Sequence, residues 1–451
     1  MATSRPQWTS HFAFLMAAIG SAVGLGNLWR FPFQAGQHGG SAFVIIYLFC
    51  VFFVAYPILM GELAIGRNKG LSAVGSTRQI ALDAGRPGAW SIVGWMGVFA
   101  ALAGLTIYLI IAGQVMAYCV MAFAGEFAAQ SSSGTSQPVS LYAGSASKVV
   151  WHTLFSVITI SVVAAGLKNG IERVVTVLMP LFFVLLVGIS GYSLANGAAS
   201  EALNYLFSPD FSAITASAVL AALGQAFFSV GVGIAVMITY GSFLSSGEGI
   251  AGNAATIAVS DTLVAIVAGL MIFPIVFAHG LDPAQGSGLI FSALPAVFAG
   301  MPGGSLIGGL FFFLALIAAL TSSISLLIAI STAGAERFGV RSSISAIVSG
   351  AVVWVMGIIT ILIAGLSDWI NFLAGSVFLP LGGLLVAIFA GWVVPRSVIR
   401  EELSDTSDRL FELWLFFVRY PAIIAIALIF VLGIDAEFDF GLNAFISSLS
   451  K

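Results

Sequence analysis

The chain has 451 residues, 59% of them hydrophobic and only 8% charged, with a formal net charge of −3. Apolar runs near the ~20 residues needed to cross a bilayer recur along its whole length, which marks a polytopic membrane protein. No basic cluster points to nucleic acid, and so small a net charge in so apolar a chain singles out no other partner.

Taken in chain order, the runs predict eleven helical spans near 11–36, 41–66, 88–124, 149–167, 170–191, 213–244, 251–278, 302–335, 341–364, 368–394 and 411–433. The first run continues into Gly24, Gly26, Asn27 and Arg30 without a convincing cleavage site, so it reads as a retained helix rather than a signal peptide. Between the seventh and eighth spans, LIFSALPAVF (289–298) is too short to cross and contains Pro295. It fits either a bent helical hairpin dipping into an outer vestibule or an ordinary surface helix.

Charge placement predicts the orientation. Arg5, Arg67, Lys69, Arg78, Arg86, Lys168, Arg173, Arg337, Arg341, Arg396, Arg400 and Arg409 fall on one side, and only Lys148 and Lys451 lie in loops on the other. The amino terminus is therefore expected in the cytoplasm. An odd number of spans puts the carboxyl end, with Asp435, Glu437 and Asp439, outside. Cys50 and Cys119 fall within spans and read as buried thiols without a disulfide framework. The chain contains no Asn-x-Ser/Thr sequon, which favours a prokaryotic source and hence a bacterial inner membrane.

Two spans are interrupted. SAVGLGNLWRFPF (21–33) puts two glycines, an asparagine and an arginine inside the first run. Five spans later, GQAFFSVGVGIAVMITY (224–240) carries Ser229, Gly231 and Gly233 at the corresponding place. Unwound backbone is tolerated at membrane depth only where it is buried in protein or lines a cavity. The freed carbonyls suit a hard cation, and the freed amides at a half-helix start suit a carboxylate. Glycines also serve close helix packing, which is the better reading of a single pair. Two matched pairs beside Asn27 and Ser229 point instead to inverted repeats with a midplane site. The predicted core is then 1–395, with repeats about 11–191 and 213–394. A cytoplasmic loop, the eleventh span and an external tail follow over 396–451.

Those segments, with GELAIGR (61–67), LPAVF (294–298) and LTSSIS (320–325), resemble the signature segments of the neurotransmitter:sodium symporter family, in order from about Arg5 to the end of the tenth span. The resemblance implies an all-α polytopic LeuT fold with a 5+5 inverted repeat, broken first and sixth helices and an added eleventh. It implies a transporter rather than an enzyme, coupled to sodium at two sites. The first would use the Ala22 carbonyl, Asn27, Ser229, Asp261 and the substrate carboxylate. The second would use the Gly20 and Val23 carbonyls with Ala318, Thr321 and Ser322. Every ligand atom offered is an oxygen, as hard cations require.

The resemblance also implies a substrate site. Gly24 stands where monoamine carriers of the family have an aspartate for the substrate amine, so the ligand is expected to bring its own acid group. Tyr108 would donate to that acid, while Leu25 and Gly26 offer amides. Phe228 would lid the pocket, and Ala22, Val23, Gly104, Ser229, Gly231, Ile234, Ser322 and Leu326 would line it. Gly104 and Ile234 remove bulk relative to leucine-type relatives, which suggests a hydrophobic or aromatic L-amino acid. The alternative is a small acid such as glycine, taurine or GABA.

Arg30 would belong to an outer gate. The family's partner acid is replaced by Asn371, with Asp368 one turn outward. Arg5 and Trp8 resemble the inner gate, with Glu336 as its carboxylate. Gly170 and Pro180 in NGIERVVTVLMP match a fifth-span unwinding motif, for which a static proline kink is the plainer reading. Asp261 stands where chloride-dependent relatives have an asparagine, and Ala265 where they have a chloride-holding serine, so no chloride requirement is expected. A channel would show a continuous polar pore lining. An enzyme would show a nucleophile and base, yet His11, His38, His152 and His279 are scattered. A membrane amino-acid sensor that binds without transport is the remaining rival.

Overall fold

The first expected span is two helices in a computed structural model of the chain, which describes residues 7–127, 142, 144–284, 288–301 and 303–442. His11–Ala22 and Gly26–Gln37 meet at 48°. Ser10 starts the first piece by accepting from the Ala13 amide, a cap contributing about 1 kcal/mol. Val23 ends it in extended backbone. The described residues form helices and connecting turns and no strand.

Among the described residues, nine helices are long and apolar enough to cross a bilayer: Ser41–Lys69, Gly88–Phe123, Ser145–Ala164, Leu167–Asn196, Ile250–Ala278, Gly304–Phe338, Ser342–Leu362, Leu366–Val393 and Asp408–Phe438. The bent first pair makes a tenth. The sixth expected span is divided into Ala216–Val230 and Val236–Ser242, each too short to cross alone. Its break carries left-handed backbone at Gly231 (φ 69°), Gly233 (φ 88°) and Ala235 (φ 61°). Two of these are glycines, for which that conformation is cheap; Ala235 is strained.

The boundary between the fourth and fifth spans falls earlier than the sequence suggests, at Ala164 and Leu167. Gly166, at φ 86°, separates them, and the fifth begins with a widened turn over Leu167–Glu172. Sequence periodicity ran on past this point because the loop is almost absent. Short helices Ala73–Asp83, Ala199–Phe207 and Arg396–Glu402 occupy what read as loops. The stretch 289–298 belongs to one short helix, Leu289–Gly300, rather than a two-limbed hairpin. Leu294, Val297 and Phe298 are buried on its packed face.

Burial separates centre from rim. In the most apolar stretch of Gly304–Phe338, 78% of residues are buried, against 28% in the fourth and eleventh spans, which therefore face lipid. The eighth span packs along the third and against the first, forming the wall on which the broken helices rest. The second span is pressed onto the second piece of the sixth: a Cβ on Gly66 would strike the Ile238 carbonyl, and one on Gly241 the Leu63 carbonyl. At the arginine-rich end, ion pairs join Arg67 to Glu402 (2.6 Å), Lys69 to Asp83 (2.7 Å) and Arg400 to Asp408 (2.9 Å), and link Arg396 with Glu412.

Candidate functional site

Breaking the first span frees backbone groups that must find partners; most of these are predicted site residues, while Gln225, whose side chain donates to the Gly26 carbonyl at 3.5 Å, is not. The Gly24 amide donates to Asn27 Oδ1 (3.0 Å) and the Leu25 amide to the Tyr108 oxygen (3.3 Å). The Ser322 hydroxyl faces the carbonyls of Gly20, Ser21 and Val23 at 3.4–3.5 Å. Thr321 Oγ1 lies 3.1 Å from the Ala318 carbonyl. The groups expected at the second sodium site therefore converge on the first and eighth spans, with the Ser21 carbonyl added. All are uncharged oxygens, a donor set that fits a hard monovalent cation.

The other side of the break meets Asp261, fully buried in the seventh span. Asn27 Nδ2 donates to Asp261 Oδ1 (2.7 Å) and to the Asp261 carbonyl (3.0 Å). The Ser229 hydroxyl donates to Oδ2 at 2.7 Å, and the Tyr47 hydroxyl approaches Oδ2 at 3.4 Å. Asn27 Oδ1 accepts the Gly24 amide and keeps a second lone pair. Asn27, Ser229 and Asp261 are thus one bonded cluster, with oxygens and a negative charge suited to a cation. Tyr47 was missed; its signal was a phenol within the otherwise apolar FVIIYLF.

A cavity of about 640 Å³ runs from this cluster toward the end of the protein opposite the arginines. Ala22, Gly24, Leu25, Gly26, Gly104, Tyr108, Phe228, Ser229, Gly231, Ile234, Ser322 and Leu326 line it as expected. Val23 does not: its side chain is wholly buried away from the cavity, because the extended backbone that ends the first helix turns only its carbonyl to the site. A Cβ on Gly24 would lie 2.9 Å from Ser322 Oγ and 3.1 Å from the Tyr108 oxygen, so no larger residue fits there without displacement. Beside Gly104 there is nothing within 4 Å of a Cβ.

The outer part of the cavity was largely missed. Asp368, Asn371, Phe372 and the small Ala374, Gly375 and Ser376 of the tenth span line it, with Gly433, Ala436 and Glu437 of the eleventh. Arg30 stacks its guanidinium on the Phe228 ring at 4.4 Å, and among the described residues it makes no ion pair. Asp368 and Asn371 share the cavity with it, and among the described residues neither forms an ion pair with it. Phe228 lines the cavity and is 40% exposed.

The arginine-rich end is closed. Trp8 donates to the Tyr240 carbonyl (3.3 Å) and packs edge-on against Tyr240. Arg5 lies outside the described residues. Glu336 accepts from the Ser72 amide at 2.7 Å, at the head of Ala73–Asp83. Among the described residues, two other carboxylates hold the amino-terminal segment: Glu172 accepts from both the amide and the hydroxyl of Thr9, and Glu248 bonds His11 Nδ1. Glu172 ends the widened turn containing Gly170, whose Cβ would strike the Val162 carbonyl, while Pro180 sits inside the continuous helix that follows.

Comparison with known proteins agrees with this geometry. The profile of the Sodium:neurotransmitter symporter family matches residues 5–140 and 141–438. The crystal structure of MhsT in complex with L-phenylalanine is similar at 38% identity with a TM-score of 0.84, covering 95% of this chain and 99% of that one. The uncharacterized sodium-dependent transporter YhdH of Bacillus subtilis is 34% identical, over 96% of this chain and 98% of its own. An uncharacterized sodium-dependent transporter of Haemophilus influenzae is 30% identical, over 95% and 98%.

Proposed function

The chain belongs to the sodium:neurotransmitter symporter family and is a sodium-coupled symporter, and from that premise we propose that its cargo is a hydrophobic or aromatic L-amino acid. The observation that carries the reading is the open space beside Gly104, in a cavity whose other end presents Tyr108 and the first-span amides. The substrate carboxylate meets Tyr108 and the amides of Leu25 and Gly26, and its side chain extends toward Gly104, Ile234 and Leu326. The relative MhsT holds L-phenylalanine, an amino acid of that class. Glycine, taurine and GABA would leave this space unfilled.

Two sodium ions travel with it. Asp261, Asn27, Ser229 and the Ala22 carbonyl take the first beside the substrate carboxylate. Gly20, Val23, Ala318, Thr321 and Ser322 take the second. A zwitterionic amino acid adds no net charge, so Asp261 supplies the compensating negative charge within the span and no chloride is required. Once sodium has left, a proton takes its place on Asp261 for the return. The arginine-rich end faces the cytoplasm of a prokaryotic cell, and the open cavity faces outward. Binding folds Phe228 over the substrate. Release inward follows when Trp8 leaves Tyr240 and the turn at Gly170 unwinds against Pro180.

The test is uptake into liposomes with a panel of amino acids. Phenylalanine, tryptophan or leucine should accumulate faster under an inward sodium gradient than under potassium, without chloride. Binding without flux would favour a sensor, and glycine or GABA uptake alone would overturn the substrate class.

A further inference from the structure

Asp261 and Glu62 are both fully buried carboxyls within spans, but their surroundings differ. Asp261 is met by Asn27, Ser229 and Tyr47. Glu62 Oε1 accepts one bond, from the Gly233 amide at 2.9 Å in the sixth-span break. Among the described residues its Oε2 is buried without a hydrogen-bond partner.

Among the described residues, no cation faces it from its own helix or the elements packed on it. On the second span, Arg67 is held by Glu402 and the Glu248 carbonyl, and Lys69 by Asp83. Arg78 is exposed on Ala73–Asp83. From the second piece of the sixth span comes Tyr240, bonded to the Ser325 hydroxyl. The seventh span brings Asp261 with the partners already named. The stretch Leu379–Val393 of the tenth carries no titratable residue. Of the groups after it, Arg396 pairs with Glu412 and Arg400 with Asp408, Arg419 donates to the Gly391 carbonyl, and Glu401 and Arg409 are exposed.

A carboxylate in such a place would be an uncompensated charge with a single donor, the costliest arrangement a span can hold. The neutral acid needs no counter-ion, and Oε1 still accepts the Gly233 amide. We propose that Glu62 is a proton-binding site, occupied in this conformation, whose proton keeps the sixth-span break free to move. The site is distinct from Asp261: the proton comes from water, and no sodium displaces it. Close packing of Gly66 on Ile238 and of Gly241 on Leu63 shields it from the arginine-rich end. Removing the proton leaves a bare charge beside the break, so turnover falls as pH rises through the site's titration.

Infrared difference spectroscopy reads this directly. In membranes at neutral pH the protein should show a protonated-carboxyl band that shifts on isotopic labelling of glutamate alone, which separates it from Asp261. The band should be lost in Glu62→Gln and should disappear on alkaline titration of the wild type. Whatever uptake Glu62→Gln retains should be flat across the alkaline range in which the wild type declines. A glutamate-labelled spectrum with no protonated band would overturn the proposal even if the variant does not fold. A band that persists in the variant, or identical pH profiles for the two proteins, would overturn it as well. None of these readouts depends on which amino acid is carried, so the substrate assignment can fail separately.

Discussion

The two candidate cation sites flank the same break and are built in opposite ways. The site around Asp261 joins the first, second, sixth and seventh spans through a charged group wrapped in donors at 2.7–3.4 Å. The site around Ser322 joins the first and eighth through uncharged oxygens, with its hydroxyl only loosely held at 3.4–3.5 Å. It also leans on the fifth span: a Cβ on Gly20 would lie 2.9 Å from Met179 Sδ, next to Pro180, and 3.1 Å from Thr321 Cβ. A carboxylate thus sits on one side of the break, while the neutral site rests against the proline-bearing fifth span. The first site is suited to hold, the second to let go.

The sharpest way to break that contrast is Asp261→Asn. Losing the charge should weaken sodium binding by about 1,000-fold in chloride-free buffer, the scale of stranding one member of a buried charged pair, roughly 3–5 kcal/mol. Wild-type uptake should be unaffected when gluconate replaces chloride. A chloride-dependent wild type, or an Asn variant of unchanged sodium affinity, would remove the asymmetry. On the substrate side, Gly104→Val should cost phenylalanine about tenfold in affinity by overfilling the pocket, and alanine less. Ile234→Phe should act in the same direction. Equal losses for both ligands would show that volume is not what the pocket reads.

Ser322→Ala tests the neutral site. One hydroxyl among neutral oxygens contributes about 1 kcal/mol, so sodium affinity should fall about fivefold, measured by sodium-dependent ligand binding. A loss as large as that of Asp261→Asn would mean that the two sites do not differ in kind. Pro180→Ala is the gentlest probe. Restoring the missing hydrogen bond stiffens the fifth span, so turnover should slow by a few fold while equilibrium binding holds. Unchanged turnover would make the proline a static kink.

The breaks were legible because each is written twice: as glycines that permit left-handed backbone at Gly231 and Gly233 or close approach at Gly24, and as Asn27, Tyr108 and Ser229 that satisfy or exploit what the break frees. The tenth and eleventh spans gave no such sign. Ala374, Gly375, Ser376 and Gly433 reach the cavity only through tertiary packing, and small residues read equally as helix contacts. Val23 was assigned to the pocket although its backbone, not its side chain, faces the site. Arg30 resting on Phe228 could not be foreseen from spacing, because it joins the first span to the sixth. The short helix 289–300 was ambiguous for a plain reason: its one buried face is fixed by neighbours far away in sequence.

The two pieces of the sixth span share one neighbour. Ala216–Val230 packs on the first half of the second span, from Ser41 to Cys50, and Val236–Ser242 on its second half, from Tyr56 to Lys69. Between those halves the second span loosens into a wide turn over Val51–Ala55. A splint lashed to both sides of a fracture lets the fracture bend only where the splint itself bends. Any tilt of one half of the sixth span against the other must be taken up as torsion at Val51–Ala55, a compliant joint with no polar side chain of its own.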